Sequence, residues 1–535
     1  MGDILIINDK KFLFVSLGEN VVNKKKRKKM TSPGMETAHR VAIIALLITA
    51  VVATAGVFFI GSNCKATDPA CAPAVSPVYY GEGATNTYST CGCNTSAEIR
   101  NETNARVLSN TEFGSGDASL EDARGVSAFT VFFTEFIFND IFRPVYHPDY
   151  TSSIPVPPGD PVFSASHITF RVPVSPYTHT FPPNCPFPLN NGTAYIDLSN
   201  VYGSSESGEL ARLRTHSLGR MRMVAEDESR LLERNATTGK WTIADVRDTY
   251  NAGVLALHTL AVRNHNYWAD RLLSFHHTWT DEQLFWKARQ LNIAEWQRIV
   301  YHEWLPTLLF IHGVTPDPES PVPNTLTEPR VTMEEALALM PAMVDTMFPS
   351  WVNRGDGAPI PYAEFTGRSG QDLISTHNIE TFLGSCVKTR ARRFDGNIIS
   401  ERRNQGNATA PRDLVAIHVQ RGRLARILDW HAMYQCIQGA PFPADTRDAY
   451  QGFIEEEIYP GTSVGHTTVR ALANLFYRVR DADQAYYTYN AAAIGPAYWE
   501  TINHATMGTL LVRNGRGPYN ALNIQHPFVV VDMFH

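Results

Sequence analysis

The hydrophobic pattern changes period and density along this chain, and the changes mark its organisation. Val41 to Ile60 is a run of twenty residues without a charge, about the length a helix needs to cross the ~30 Å hydrocarbon core of a bilayer. Residues 62–120 are rich in Gly, Thr, Asn and Ser and predict a loop-rich start. Apolar positions at helical spacing then predict a helix over about Asp122–Phe142. Residues 143–190 are broken by proline, as in Ile154-Pro155-Val156-Pro157-Pro158-Gly159, and predict irregular chain. The helical period returns from about Val246, in Leu255–Val262 and Trp286–Leu309, with surface loops expected over 312–330 and 353–412. The sum predicts a mainly α fold with little β. It comprises a basic tail over 1–40, an apolar segment over 41–61 and one large helical domain over 62–535.

Charge and cysteine usage refine this picture. Residues 1–61 carry nine Lys or Arg against four Asp or Glu, or +5, so the rest of a chain of net charge −6 stands near −11. An acidic body argues against nucleic acid as an electrostatic partner. The cluster Lys24-Lys25-Lys26-Arg27-Lys28-Lys29 precedes the apolar run. By the positive-inside rule the N-terminus is then cytosolic and the body lies outside or in the lumen, as a single-pass membrane protein. A cleaved signal peptide ending near Ala53-Thr54-Ala55 is the alternative and gives a secreted protein. Five glycosylation sequons, at Asn94, Asn101, Asn191, Asn235 and Asn407, fit an oxidising compartment. So do the seven cysteines, whose pairing sequence alone leaves open.

Candidate chemistry gathers in a few segments. Thr193-Ala194-Tyr195-Ile196-Asp197-Leu198-Ser199 places oxygen-bearing residues at alternate positions. That pattern fits either a half-buried strand or a loop for a hard cation such as Ca²⁺, which takes about six to eight oxygens. Asp413-Leu414-Val415-Ala416-Ile417-His418-Val419-Gln420-Arg421-Gly422-Arg423 resembles the D-L-x-A-x-N-x-Q-R-G-R-D-H-G motif of animal haem peroxidases. His418 stands where the asparagine is expected, and Leu424-Ala425-Arg426 where Asp-His-Gly is expected.

The resemblance extends in order over about residues 77–530, and it implies the roles that follow. The family's calcium loop, T-x-[FY]-x-D-x-S followed by x-V-Y-G-S, is matched by Thr193, Tyr195, Asp197, Ser199 and Asn200–Ser204, with Asp140 as the remaining ligand. Phe132–Ile141 resembles W-G-Q-F-x-D-H-D, whose histidine shuttles the peroxide proton. Here Asn139 replaces that histidine, Phe138 the haem-ester aspartate and Glu135 the glutamine. Asp245-Val246-Arg247 keeps the arginine that polarises the O–O bond, and Tyr250 replaces the second ester residue. Asp345 stands where the proximal histidine is expected. His258, His265 and His466 are read as packing histidines. His418 is either a core histidine or a displaced iron ligand, and Arg421 is a further candidate at the cofactor.

Segments such as Asp345-Thr346-Met347-Phe348-Pro349 and Glu303-Trp304-Leu305-Pro306 are most similar to the peroxidase-like ectodomain of dual oxidases. The resemblance implies a calcium-binding, degenerate peroxidase with lost or weak activity. It would act through protein contacts, beside a peroxide-producing NADPH oxidase-type partner. The alternative it implies is a peroxidase holding haem b non-covalently, with iron ligation altered through His418. Arg354-Gly355-Asp356 would suit an adhesion protein of peroxinectin type.

Overall fold

The computed structural model describes residues 4–8, 11–15, 85–86, 91, 103–114, 120–173, 188–224, 231–235, 237–309, 327, 329–354, 358–515 and 525–530. The chain divides into two compact units, residues 1–62 and 63–535. In the first unit, strand β1 (Ile4–Asn8) pairs antiparallel with β2 (Lys11–Val15), a hairpin inside the segment read as a basic tail. The Val41–Ile60 run lies outside the described residues.

In the second unit, helix α1 (Ala128–Ile141) is central, capped by the Ser127 side chain accepting from the Thr130 amide. Its sequence is apolar on every side, and every residue except Glu135 is buried. A helix of that kind must be surrounded. Its neighbours include α2 (Ala252–Phe275), α4 (Met340–Met347) and α5 (Gly367–Val387), while α3 (Asp281–Ile299) packs along α2. A Cβ on Gly253 would stand 2.2 Å from the Phe132 ring, so only glycine lets α2 approach α1 this closely. Phe133 stacks on Trp296 of α3, with 5.7 Å between ring centroids. The remaining elements that build the site are α6 (Ser400–Arg403), α7 (Leu414–Leu424), α8 (Ala449–Glu455) and α9 (His466–Ala482). The mainly α expectation holds.

Three expectations need correction. The proline-rich stretch 143–190 is not wholly irregular: β3 (Tyr146–Pro155) and β4 (His167–Pro173) form an antiparallel pair, with Ile154 opposite Ile168. Proline cannot donate to a ladder but is tolerated on a two-stranded edge. The loop expected over 353–412 contains α5, which buries Leu373, Ile374, Ile379, Phe382, Leu383 and Cys386 at helical spacing behind a polar face. The single-pass membrane placement is also corrected. Among the described residues no helix is long and apolar enough to cross a membrane. The longest, α2, carries Arg263, Asn264, His265, Asp270 and Arg271 and buries much of its length against protein.

Candidate functional site

A cavity of about 1320 Å³ opens between α1, the β3–β4 hairpin, α4, α6 and α7. It exceeds the ~300–1,000 Å³ common for small-molecule sites. Phe138, Phe142, Phe170, Met340, Val344 and Phe348 supply apolar wall, and Arg171, Arg247, Arg402, Arg412 and Arg421 supply cations. Of the sequence-predicted residues, the cavity brings together Asn139, Arg247, His418 and Arg421.

The wall built by α4 and α7 carries a continuous polar network. A π-helical turn, Glu335–Leu339, leads into α4 and presents Ala336, Leu337, Met340, Pro341 and Val344 to the cavity. Asp345, the next residue, is fully buried behind them. Helix α7 starts where the Asp413 side chain accepts from the Ala416 amide, and Arg106 holds that cap through a buried pair 2.8 Å long. This placement brings His418, one turn into α7, against Asp345. His418 Nδ1 lies 2.6 Å from Asp345 Oδ2. The Tyr450 hydroxyl of α8 donates to the same oxygen at 2.8 Å. Arg402 of α6 donates through Nε to Oδ1 at 3.0 Å and through Nη2 as well.

The electrostatics of this group assign its protons. Against the cost of burial, His418 and Arg402 hold the Asp345 carboxyl well below the ordinary range. Burial in turn depresses the His418 pKa, against the raising effect of Asp345. A neutral imidazole beside an ionised carboxylate must carry its proton on Nδ1. Nε2 then keeps its lone pair, and it has no hydrogen-bond partner among the described residues of the cavity that His418 lines. A carboxylate that orients a histidine through one nitrogen, leaving the other free, is the arrangement that supports metal-ligating histidines.

The α1 wall differs. Asn139 does line the cavity, but its amide donates to Asp248 Oδ1 at 2.9 Å. Asp248 is buried and also receives His258 Nδ1 at 2.8 Å and Asn200 Nδ2 at 3.0 Å. His258 is thus spoken for. His265 contacts the Tyr202 hydroxyl and the Gly219 carbonyl, and burial pushes its pKa down to about 3. Arg247 is held by bidentate contact of Nε and Nη2 with Asp245, and Nη2 also donates to the Asn139 carbonyl. Its Nη1 has no partner among the described residues. Arg421 sits at the rim, donating to the Arg171 carbonyl and lying over the Tyr146 ring. His466 opens α9 and stacks on Tyr459, with 4.4 Å between ring centroids.

At the C-terminal end of α1 the structure gathers the second set of predicted residues. Asp140 accepts the amides of Leu198 and Ser199, and Ser199 Oγ donates to the Asp140 carbonyl at 2.7 Å. Thr193 Oγ1 donates to Asp197 Oδ1 at 2.7 Å and lies 3.5 Å from the Tyr195 carbonyl. Leu198 takes a left-handed φ of 58° to turn the loop. Burial, and then repulsion by Asp197, raises the Asp140 pKa well above the ordinary value. Burial pushes Asp197 up to about 6, although Arg289 and hydrogen bonds draw it down. Burial and mutual repulsion favour the protonated forms of these two groups, and a cation between them would favour the ionised forms. Among the described residues, no group of three or more His, Cys, Asp or Glu side chains could hold a metal ion. This loop offers two carboxylates with hydroxyl and carbonyl oxygens.

Sequence reasoning missed Arg402, Tyr450 and Asp248, which lie far apart in the chain and carry no local motif. Arg423 holds Asp448 through two contacts, 3.0 and 2.7 Å long, and belongs to the scaffold. Arg354 is 3.9 Å from Glu364, while Gly355 and Asp356 lie outside the described residues. Cys91 is joined to Cys436, 345 residues away, and Cys386 is free and buried. The residues present fit a haem group in part. The free His418 Nε2, the apolar walls and the cationic rim suit it, whereas Phe138 and Tyr250 offer no carboxylate for a covalent ester.

Comparison with known proteins agrees with this architecture. The animal haem peroxidase family model matches residues 81–438. Human Dual oxidase 1 is 33% identical over 230 residues, covering 38% of this chain and 15% of that protein. Peroxinectin A of Dictyostelium discoideum is 25% identical over 347 residues, covering 56% of this chain and 62% of that protein. The chain thus spans less than two thirds of the length of these relatives. Among solved structures, peroxidase A from Dictyostelium discoideum superimposes with a TM-score of 0.72 at 19% identity, covering 84% of this chain and 98% of that one. A fatty acid alpha-dioxygenase of Arabidopsis thaliana gives 0.69 at 16% identity, covering 79% and 77%. A family model that matches most of the domain, on a fold shared along its length, shows that this chain belongs to the animal haem peroxidase family.

Proposed function

We propose that this chain is a hydrogen-peroxide-dependent oxidoreductase that holds haem non-covalently, with His418 as the iron ligand and Asp345 as the group that orients it. The observation that carries this reading is the 2.6 Å contact from His418 Nδ1 to Asp345, which leaves Nε2 free in the cavity. The family pairs a histidine with an asparagine at these positions. This chain pairs an aspartate with a histidine, so the ligand has moved from one helix to the other. Haem, when bound, supplies the redox chemistry of the site. Arg402 and Tyr450 keep Asp345 ionised and fixed, and Asp345 holds the His418 proton on Nδ1. Arg421 and Arg171 at the rim suit carboxylate groups of the cofactor. Arg247, tied to Asp245, presents a fixed positive charge to peroxide.

The loop around Asp140 and Asp197 supports a calcium site that stabilises the end of α1. The Cys91–Cys436 disulfide supports an oxidising compartment, and a secreted protein is the placement it favours. Asn235 and Asn407 are exposed and open to glycosylation there, whereas the Asn191 sequon is completed by Thr193, whose hydroxyl is held by Asp197. A partner oxidase would be the source of peroxide. One observation favours a second reading, in which the protein is a haem-free scaffold acting through protein contacts: Asn139 is committed to Asp248 and cannot shuttle a proton. Haem titration of the full chain separates the two. The first reading expects a stoichiometric Soret band and measurable peroxide-dependent oxidation. A chain that takes up no haem, yet is stabilised by calcium, would establish the scaffold instead.

A further inference from the structure

Glu135 is the one residue of α1 that is only partly buried. It lies one helical turn before Asn139, on the same face, and lines the same cavity. Its Oε2 accepts from Asn251 Nδ2 at 2.9 Å. Its Oε1 has no hydrogen-bond partner among the described residues. A carboxyl on a helix of phenylalanines and isoleucines costs stability unless it is used. One oxygen supports Asn251, the cap of α2, and the other is left for the cavity.

We propose that Glu135 is the proton acceptor of this cavity, in place of the histidine that Asn139 displaces: its carboxylate takes the proton of a bound hydroperoxide. The step is R–O–O–H plus carboxylate giving R–O–O⁻ plus carboxylic acid. One O–H bond breaks, another forms, and charge is conserved. This rests on the haem-binding reading above, which supplies the place where the peroxide oxygen is held. The surroundings suit the role. Burial lifts the Glu135 pKa above the ordinary carboxyl range, towards the working range of a general base. Arg402 and Arg247 draw it down, Asp248 pushes it up, and the Tyr362 phenol also faces it. Asn251 fixes the carboxylate plane, so that Oε1 is presented to the cavity without reorganisation.

The test uses cyanide, because HCN must lose its proton before it binds ferric haem. The full chain loaded with ferric haem is mixed with cyanide from pH 5 to 9, and the association rate is followed in the Soret band. The wild-type rate should rise through one acid-side inflection. Glu135→Gln keeps the shape and the contact with Asn251. It should slow association by ~10²-fold, the usual size of one acid–base group, and remove the inflection while the resting Soret band stays unchanged. Glu135→Asp should recover part of the rate. A Glu135→Gln variant that binds cyanide at the wild-type rate and with the same pH profile overturns the proposal and leaves the haem reading standing. Wild-type chain with no Soret band overturns both.

Discussion

The two walls of the cavity hold their polar groups in different ways. On the α4–α7 wall the motif resemblance implies an exchange of residue types, with Asp345 in place of a histidine and His418 in place of an asparagine. The two side chains form a hydrogen-bonded pair, reinforced by Arg402 and Tyr450. On the α1 wall, Asn139 has no such exchange partner. Its amide satisfies Asp248, which His258 and Asn200 also reach. The contrast is between a closed network that leaves one imidazole nitrogen facing the cavity and an amide tied into the structure behind it.

The largest expected effect breaks the first wall. Asp345→Ala leaves Arg402 without its buried counter-charge and His418 and Tyr450 without their acceptor. Loss of one member of a buried pair costs about 3–5 kcal/mol, which urea unfolding of the full chain would measure. A cost below about 1 kcal/mol, the range of an exposed ion pair, would show that the network does not hold this wall. The next prediction sharpens the contrast from the other side. Asn139→His returns a proton shuttle to α1 and should raise peroxide-dependent turnover of haem-loaded protein by ~10²-fold. Unchanged turnover would mean that the α1 wall does not limit the reaction.

The loop proposed to bind calcium gives a smaller effect with a defined pH dependence. Asp140 and Asp197 both have raised pKa values in the fold, Asp197 at about 6. Raised carboxyl pKa values contribute stability that is present at low pH and is lost as pH rises through the folded values. Calcium replaces the protons, so its effect should grow as pH rises. The shift in melting temperature between excess calcium and EDTA should therefore be several degrees at pH 7.5 and smaller at pH 5. An equal shift at both values would place calcium elsewhere. The smallest effect is that of Thr193→Ala, which removes one hydrogen bond to Asp197, worth about 1 kcal/mol. It should also reduce the calcium shift. A variant with the wild-type calcium shift would exclude Thr193 as a ligand.

Sequence showed the parts of this site but not their pairing. Asp413 and His418 lie in one motif, and the structure places them on one helix with Asp413 as its cap. That Asp345, 73 residues earlier, meets His418 depends on how α4 and α7 pack, which no local pattern encodes. Arg402 and Tyr450 were invisible for the same reason. The β3–β4 pair was hidden because its prolines read as loop, and α5 because a polar face and polar flanks masked its buried stripe. Glu135 was legible as a replaced glutamine. Its isolation on an otherwise buried helix is a property of the packed structure.

The central claim is that the iron ligand has moved to His418, and a cavity-variant experiment tests it most directly. Haem is titrated into full-length wild type and into His418→Ala, with and without added imidazole, and the Soret band and the ferric electron paramagnetic resonance spectrum are recorded. The account predicts a histidine-ligated spectrum in wild type, its loss in His418→Ala, and its return when imidazole fills the space the side chain left. A spectrum unchanged by His418→Ala would contradict it and place the ligand, if haem binds at all, on another residue.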